Sequence, residues 1–392
     1  MPEGHTTTYH TSRQLPPSAI QRVPPVVRVV GIVAVLYVFL CSIGLMGSGF
    51  KSMGRGFAER LIEATSNPFV GLFVGIFTTS IVQSSSLTTS IVVGMVSAGS
   101  LTVRGAVPIV MGANIGTTVT CTIVSLGFIG RRREFRRAFA CGTMHDLFNL
   151  LCVLLFFPVE MVCQRAFGVG FLEWLAGQVE RLFVGAEGVT FAGPVKLATK
   201  PLIHAAERAV RAVLGEGAAA SWGQVALAFA VLFLCLWSIT KLMRSLMLGR
   251  VEAALDRTVG RSAVLGLAVG LVVTAIIQSS SITTSILVPL AAAGIVTLPQ
   301  VFPITVGANI GTTVTALLAS LGGSPAGLQI ALVHLLFNSS GALVFLPVPA
   351  LRRVPVALAG GLARITARWR WFALVYVAVL FFLIPALLIF LT

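Results

Sequence analysis

Charge is what this chain has least of. Only 10% of its 392 residues are Asp, Glu, Lys or Arg, against 56% hydrophobic, and the mean hydropathy is +0.95. A soluble domain carries about 25% charged residues, so the composition excludes one and indicates an integral membrane protein. Acid is scarcer than base: 13 Asp and Glu stand against 28 Lys and Arg, a net charge of +15. In a soluble chain that balance would suggest nucleic acid. Here the basic residues fall between apolar runs and are not interleaved with aromatics in a patch, so they read as cytoplasmic loop anchors, and nucleic acid is not expected as a partner. Cysteine is also sparse. Of Cys41, Cys121, Cys141, Cys152, Cys163 and Cys235, five lie in apolar segments and only Cys163 is expected to reach an aqueous loop. With no CxxC spacing, neither a disulfide framework nor a zinc site is expected. No signal peptide is legible: residues 1–25 are polar, carry Pro16-Pro17 and Pro24-Pro25, and read as a disordered cytoplasmic tail.

What the chain does have is a stretch written twice. Residues 71–127 and 266–322 align without a gap at an offset of 195, and about 32 of the 57 paired positions are identical. That is an internal repeat. The identities gather in two polar knots, QSSS and GANIGTTVT, each interrupting an apolar run. Such a pattern is expected of an all-α, inverted-repeat transporter with two re-entrant hairpins and broken helices.

Taken in order, residues 26–158 form the first transmembrane repeat. Val26 to Met46 is long enough to span, and Lys51 to Asn67 reads as an interfacial amphipathic helix. Pro68 to Gly99 reads as a hairpin that enters the membrane and turns back at Gln83–Ser86. Non-helical backbone at that depth needs protein or a wet cavity around it. Val107 to Phe128 is a broken helix carrying the first GANIGTT, and Ala138 to Pro158 is a span holding His145, Asp146 and Asn149. Residues 159–221, with alternating charges, form a linker outside the bilayer. Residues 222–350 repeat the pattern: a span at Trp222–Leu242, an interfacial segment at Arg250–Arg261, a turn at Gln278–Ser281, a second broken helix with Gly307–Thr315, and a span at Leu328–Val348. Residues 351–392 hold a basic segment and a last span, Trp371 to Leu391, that has no mate in the first half. The loop after the first broken helix carries Arg131, Arg132, Arg133, Arg136 and Arg137, while its counterpart at 322–327 carries no basic residue. By the positive-inside rule the first is cytoplasmic and the second external, so the halves are inverted, the linker is external and the segment with Arg352, Arg353, Arg364, Arg368 and Arg370 is cytoplasmic.

The knots have chemistry. At each hairpin tip one helix ends and another begins, and the free N–H groups of the new helix make an anion site. Gln83, Ser84, Ser85 and Ser86, with Gln278, Ser279, Ser280 and Ser281, add amide and hydroxyl donors. Two such tips from inverted halves would form a small, roughly two-fold cavity suited to a tetrahedral oxyanion. Within both copies the only Lys or Arg is Arg104, in a turn, so co-travelling cations are the expected counter-charge. Asn114, Thr117, Asn309, Thr312 and Thr315, with unwound carbonyls around Gly116 and Gly311, offer the hard oxygens that sodium needs. Asp146 is the only carboxylate in an expected span, and an acid there is a functional candidate. Its positional mate is Leu335, so the cation site is asymmetric.

Plainer roles compete. Small and hydroxyl residues in membrane helices also serve close packing; Asp146 could be structural; His145 and His334 could be span-end hydrogen bonders; Asn149 and Asn338 could be helix glue. Rival functions are a transporter of sulfate or a carboxylate, an ion channel, and an intramembrane serine hydrolase. For the last, QSSS offers neither a GxSx-type setting nor a reachable base.

The residues VQSSS (82–86), IQSSS (277–281), PIVMGANIGT (108–117), PITVGANIGTT (303–313), EFRRAFACGTMHDLFN (134–149), ALVHLLFN (331–338) and ITARWRW (365–371) resemble the type II sodium–phosphate cotransporter family, known in vertebrate epithelia and in bacteria. The resemblance implies a bacterial-type, multi-pass protein of the plasma or inner membrane. It would import inorganic phosphate with Na+, sit in lipid, and leave room for a homodimer. It assigns phosphate to Gln83–Ser86 and Gln278–Ser281, and sodium to Thr312, Thr315, Asp146 and Asn149. An Asp at position 146, where electroneutral members have Gly, implies electrogenic transport. The chain departs from the vertebrate pattern in its short linker with one cysteine and no glycosylation sequon, in Ala308 where a Ser is usual near a sodium site, and in stopping at Thr392 with an expected external C-terminus.

Overall fold

The computed structural model describes residues 24–184, 193–258 and 262–391. The tail expected at 1–25 lies outside them but for its last two residues, as do the last residues of the Arg250–Arg261 segment. Among the described residues every regular element is a helix. Seven helical segments among the described residues are long and apolar enough to cross a bilayer, and the protein is a multi-pass membrane protein.

The first copy runs α1 (Pro25–Ser52), α2 (Arg55–Ala64), α3 (Pro68–Val82), α4 (Ser85–Ala98), α5 (Val103–Gly116), α6 (Val119–Leu126) and α7 (Arg132–Phe167). Then come α8 (Phe171–Val184) and α9 (Gly193–Leu214). The second copy runs α10 (Ala218–Thr258), α11 (Ala263–Ile277), α12 (Ser280–Ala293), α13 (Leu298–Ser320) and α14 (Pro325–Phe345). It is followed by α15 (Pro349–Arg368) and by a last span, α16 (Trp371–Ala378) and α17 (Ile384–Leu391), joined through a π turn at Val379–Leu383. The hairpin helices recur at the sequence offset. The 15-residue α3 answers α11, and the 14-residue α4 answers α12. Each is about 22 Å long or less at 1.5 Å per residue, short of the ~30 Å hydrocarbon layer.

Local chemistry sets the ends. The Asn67 side chain accepts from the Phe69 N–H at 3.0 Å, with Pro68 at the first helical position, and starts α3. Gly99, at φ 76°, stops α4. Glycine also sets the spacing of the hairpin arms. A Cβ on Gly75 or Gly112 would overlap the carbonyl oxygens of Ile109 and Leu72 respectively, and their mates Gly270 and Gly307 meet Ile304 and Leu267 in the same way. Backbone therefore rests on backbone where α3 meets α5 and where α11 meets α13, the small-xxx-small contact of membrane helices. The glycines of GANIG belong to this packing.

The copies interlock. Helix α4 packs on α13 and α14, and α12 packs on α6 and α7. Phe148 and Phe345 lie edge to face at 5.7 Å, and their positional mates Phe337 and Phe156 do so at 6.0 Å. A Cβ on Gly341 would meet the Cys152 sulfur at 2.6 Å, and these two residues are themselves mates. The pseudo-two-fold therefore passes between α7 and α14.

Three expectations need correction. The second GANIGTTVT does not sit in a broken helix, because α13 runs unbroken through it. The first copy is interrupted only at Thr117 and Thr118, which keep right-handed backbone. Because the two strings are identical, the difference is tertiary. The Asn149 amide donates to the Asn114 carbonyl at 2.6 Å, and the Thr118 N–H turns to Ile115 instead. In the second copy the Asn338 amide donates to His334 in its own helix, leaving the Asn309 carbonyl to α13. Beyond this, α10 continues through Thr258 without the stop that Met53 and Gly54 impose after α1, and α7 extends past Pro158 to Phe167.

Candidate functional site

Each hairpin reverses at a glutamine. Gln83 and Gln278, with φ of 54° and 60°, are the only non-glycine residues with positive φ among those described. Left-handed backbone at such a residue costs on the order of 1–3 kcal/mol and persists where its surroundings fix it. Here each Gln N–H is held 2.7 Å from the carbonyl of Thr79 or Thr274. Across each tip a threonine pair closes the turn, Thr79 to Thr88 at 2.9 Å and Thr274 to Thr283 at 2.8 Å. Ser84 and Ser279 then cap α4 and α12 by accepting from Leu87 and Ile282. The next serines in each QSSS carry the first N–H groups of a helix, which have no intrahelical acceptor.

The two tips meet. All eight residues of the two QSSS strings line one cavity of about 170 Å³, together with Leu87, Thr117 and a wall from α10 made by Phe233, Leu236, Trp237 and Thr240. Among the described residues no charged side chain lines it. A cation stands behind the wall: the Lys241 ammonium lies 4.4 Å from the centre of the Trp237 ring. The cavity thus offers hydroxyls, amides and two helix N-termini, a setting for an anion.

The other seven candidates fall into four places. Thr117 is in the cavity wall. Thr315 reaches both tips, donating to Gln278 Oε1 at 2.7 Å and lying 3.3 Å from the Ser86 hydroxyl. Thr312 is bonded to Ala308 in its own helix. Asn114, Asn149 and Asn309 form a buried chain. Asn309 donates to Asn149 Oδ1 at 2.5 Å, Asn149 donates to the Asn114 carbonyl, and the Asn309 oxygen bonds His145 Nε2. Asp146 shares no bond with any of these. Its Oδ2 accepts from the Thr122 hydroxyl at 2.8 Å and the Tyr376 hydroxyl at 3.2 Å. Among the described residues its Oδ1 has no hydrogen-bond partner, and the residue is 1% exposed.

Several of these residues escaped the sequence reading. Tyr376 sits in the last span, which has no mate, and its signal was a lone tyrosine in an otherwise apolar run. The α10 wall corresponds to Val38, Cys41, Ser42 and Leu45 at the repeat offset, so the repeat gave no hint of it. His145 was legible in the pairing of HDLFN with HLLFN, but not as a bridge between the copies.

Two interlocked repeats whose re-entrant tips meet in a polar cavity define an integral-membrane transporter built by internal duplication. A family model described as Na+/Pi-cotransporter matches residues 38–174 and 231–366, one segment for each copy. The chain belongs to the Na+/Pi-cotransporter family, a family of cotransporters and not of enzymes. It is 34% identical over 450 residues to sodium-dependent phosphate transport protein 2B of Homo sapiens, covering 91% of this chain and 64% of that protein. It is 34% identical over 425 residues to protein 2A of Rattus norvegicus, covering 90% and 66%. The chain thus spans just under two thirds of the length of these relatives. No solved structure matches it.

Proposed function

We propose that the protein is a sodium-coupled symporter that imports inorganic phosphate across the plasma or inner membrane. The observation that carries this reading is the convergence of both QSSS tips on one cavity in a chain of this family. Phosphate sits between the tips. The N–H groups that open α4 and α12, the serine hydroxyls and the two glutamine amides donate to its oxygens. With no basic side chain among the described residues that line the cavity, the anion's charge is balanced by sodium.

Two places suit the cation. Asp146 is a buried carboxylate with two hydroxyl donors and no basic partner, so sodium at its free Oδ1 supplies the missing positive charge. Thr315 joins the second GANIGTT string to both tips, so a cation drawing on that string is felt at the anion. Divalent phosphate carried with enough sodium to leave a net positive charge is driven by voltage, at about 2.3 kcal/mol per charge per 100 mV. The basic loop at 131–137 faces the cytoplasm and the linker at 159–221 faces outside, which makes the copies inverted.

The test is phosphate uptake into proteoliposomes under a sodium gradient, against potassium, with voltage set by valinomycin. Uptake that needs sodium and rises with negative interior is the expected result. Sodium-dependent uptake indifferent to voltage would remove the role given to Asp146. Folded protein that takes up no phosphate, but does take up sulfate or a carboxylate, would move the reading to that anion. Flux without saturation or sodium dependence would make it a channel.

A further inference from the structure

We propose that GANIGTTVT is a two-position element, and that His334, Asn338 and Thr120 are the residues that hold it in the opposite-facing state. The proposal rests on the reading of the protein as an alternating-access transporter. It starts from an asymmetry between positions that the repeat makes equivalent. His145 pairs with His334 and Asn149 with Asn338 through HDLFN and HLLFN, while Asn114 pairs with Asn309 and Thr120 with Thr315.

In one set every member is bonded across elements. His145 bonds Asn309, Asn309 donates to Asn149, Asn149 donates to the Asn114 carbonyl, and Thr315 reaches Gln278 and Ser86. In the mate set the same atoms are idle. Among the described residues Nε2 of His334, Oδ1 of Asn338 and the hydroxyl of Thr120 are buried with no partner, while Nδ1 is unpartnered in both histidines, and the Asn338 and Asn114 amides donate only within their own helices. A buried polar group left unpaired is unfavourable, and here three such residues are the positional mates of bonded ones. The backbone follows the bonds: the string is interrupted where Asn149 takes the Asn114 carbonyl, and straight where Asn338 leaves that of Asn309 alone. Identical sequence in two conformations, each set by one asparagine, is a bistable element.

Exchange of the two sets gives the other state. His334 bonds Asn114, Asn114 donates to Asn338, Asn338 takes the Asn309 carbonyl and interrupts α13, and Thr120 reaches Gln83 and Ser281. Gln83, which has no side-chain partner now, receives the contact that Gln278 gives up. Alternating access then comes from each copy adopting the conformation of its mate, with the pseudo-two-fold between α7 and α14 unmoved.

The experiment uses Thr240→Cys, in the cavity wall, as a reporter in a chain carrying Cys163→Ser; the other five cysteines are buried. A membrane-impermeant thiol reagent is applied from each side of oriented proteoliposomes, and the ratio of labelling rates is read. His334→Phe removes bonds of the opposite state only, and Asn338→Leu removes those together with one bond inside its own helix, to the His334 carbonyl. They should shift the ratio by about fivefold or more, roughly 1 kcal/mol at about 1.4 kcal/mol per tenfold. His145→Phe and Asn309→Leu should shift it the other way, and combining His145→Phe with His334→Phe should bring it back. Thr120→Val against Thr315→Val gives a milder opposed pair should the His145 variant fail to fold. A shift in the same direction from both members of a pair, or none from His334→Phe and Asn338→Leu in protein that stays monodisperse, would overturn the proposal. Opposed shifts in a chain that takes up no phosphate would keep the element and remove the substrate. Normal phosphate uptake with no shifts would remove the element alone.

Discussion

Gly311 offers a quantitative check on how the hairpins are held. A Cβ there would lie 2.6 Å from the Leu271 carbonyl oxygen and 2.7 Å from the Thr274 Cβ, where ordinary contact begins at 3.4 Å. Both obstacles are fixed to α11, one in its backbone and one at the root of a side chain, so neither can rotate away. In Gly311→Ala the two helices must part by about 0.8 Å, and interiors pack too tightly to absorb that freely. Overpacking of this kind costs about 1–3 kcal/mol, and contact with backbone places it near the upper end. Thr274 also closes the second tip through Thr283, so the displacement reaches the cavity. The expected result is a thermal midpoint in detergent lowered by roughly 2–4 °C, with phosphate uptake reduced beyond the loss of folded protein. Gly116→Ala, whose Cβ would meet Ile76 and Thr79 at 2.5 and 2.8 Å, should behave alike. Gly360→Ala in α15, with open space around it, should be neutral or slightly stabilising. A Gly311→Ala protein as stable and active as the parent would refute the account of the α11–α13 contact.

Other outcomes follow from the site. Gln83→Ala and Gln278→Ala should each abolish phosphate uptake while leaving a monodisperse protein; full activity in both would sink the assignment of the tips. Of the two, Gln278→Ala should also weaken the sodium dependence, because it alone strips Thr315 of a partner, and a sodium titration would show this. Asp146→Gly should leave sodium-dependent uptake but remove its current, measured on solid-supported membranes. Trp237→Ala should raise the KM for phosphate severalfold by opening the cavity wall, and an unchanged KM would place that wall outside the substrate's path.

The sequence disclosed what it wrote twice. The hairpin ends, the turning glutamines and the meeting of the QSSS tips could be anticipated because a single apolar run with a polar knot is ambiguous, and two at a fixed offset are not. The unbroken α13 could not be anticipated, since nine identical residues cannot encode a difference; it lies in which carbonyl a distant asparagine takes. Tyr376 and the α10 wall were hidden for the opposite reason, having no mate of like kind at the repeat offset. The glycines of GANIG were read for their backbone oxygens, but most of their effect is in the approach of two helices, which periodicity alone cannot display.

The interlock of the copies also bears on how the chain is made. Helix α4 is buried against α13 and α14, and its Ser97 hydroxyl accepts from the Ser324 N–H, 227 residues later. At synthesis rates of about 5–20 residues per second, that partner arrives roughly 11–45 s after Ser97. For that interval the first hairpin is too short to span and has no second copy to pack on. The nascent first half therefore has to be sheltered, at the edge of the translocation machinery or of the bilayer, until the second half is delivered, and the two halves become one stable body only near the end of translation.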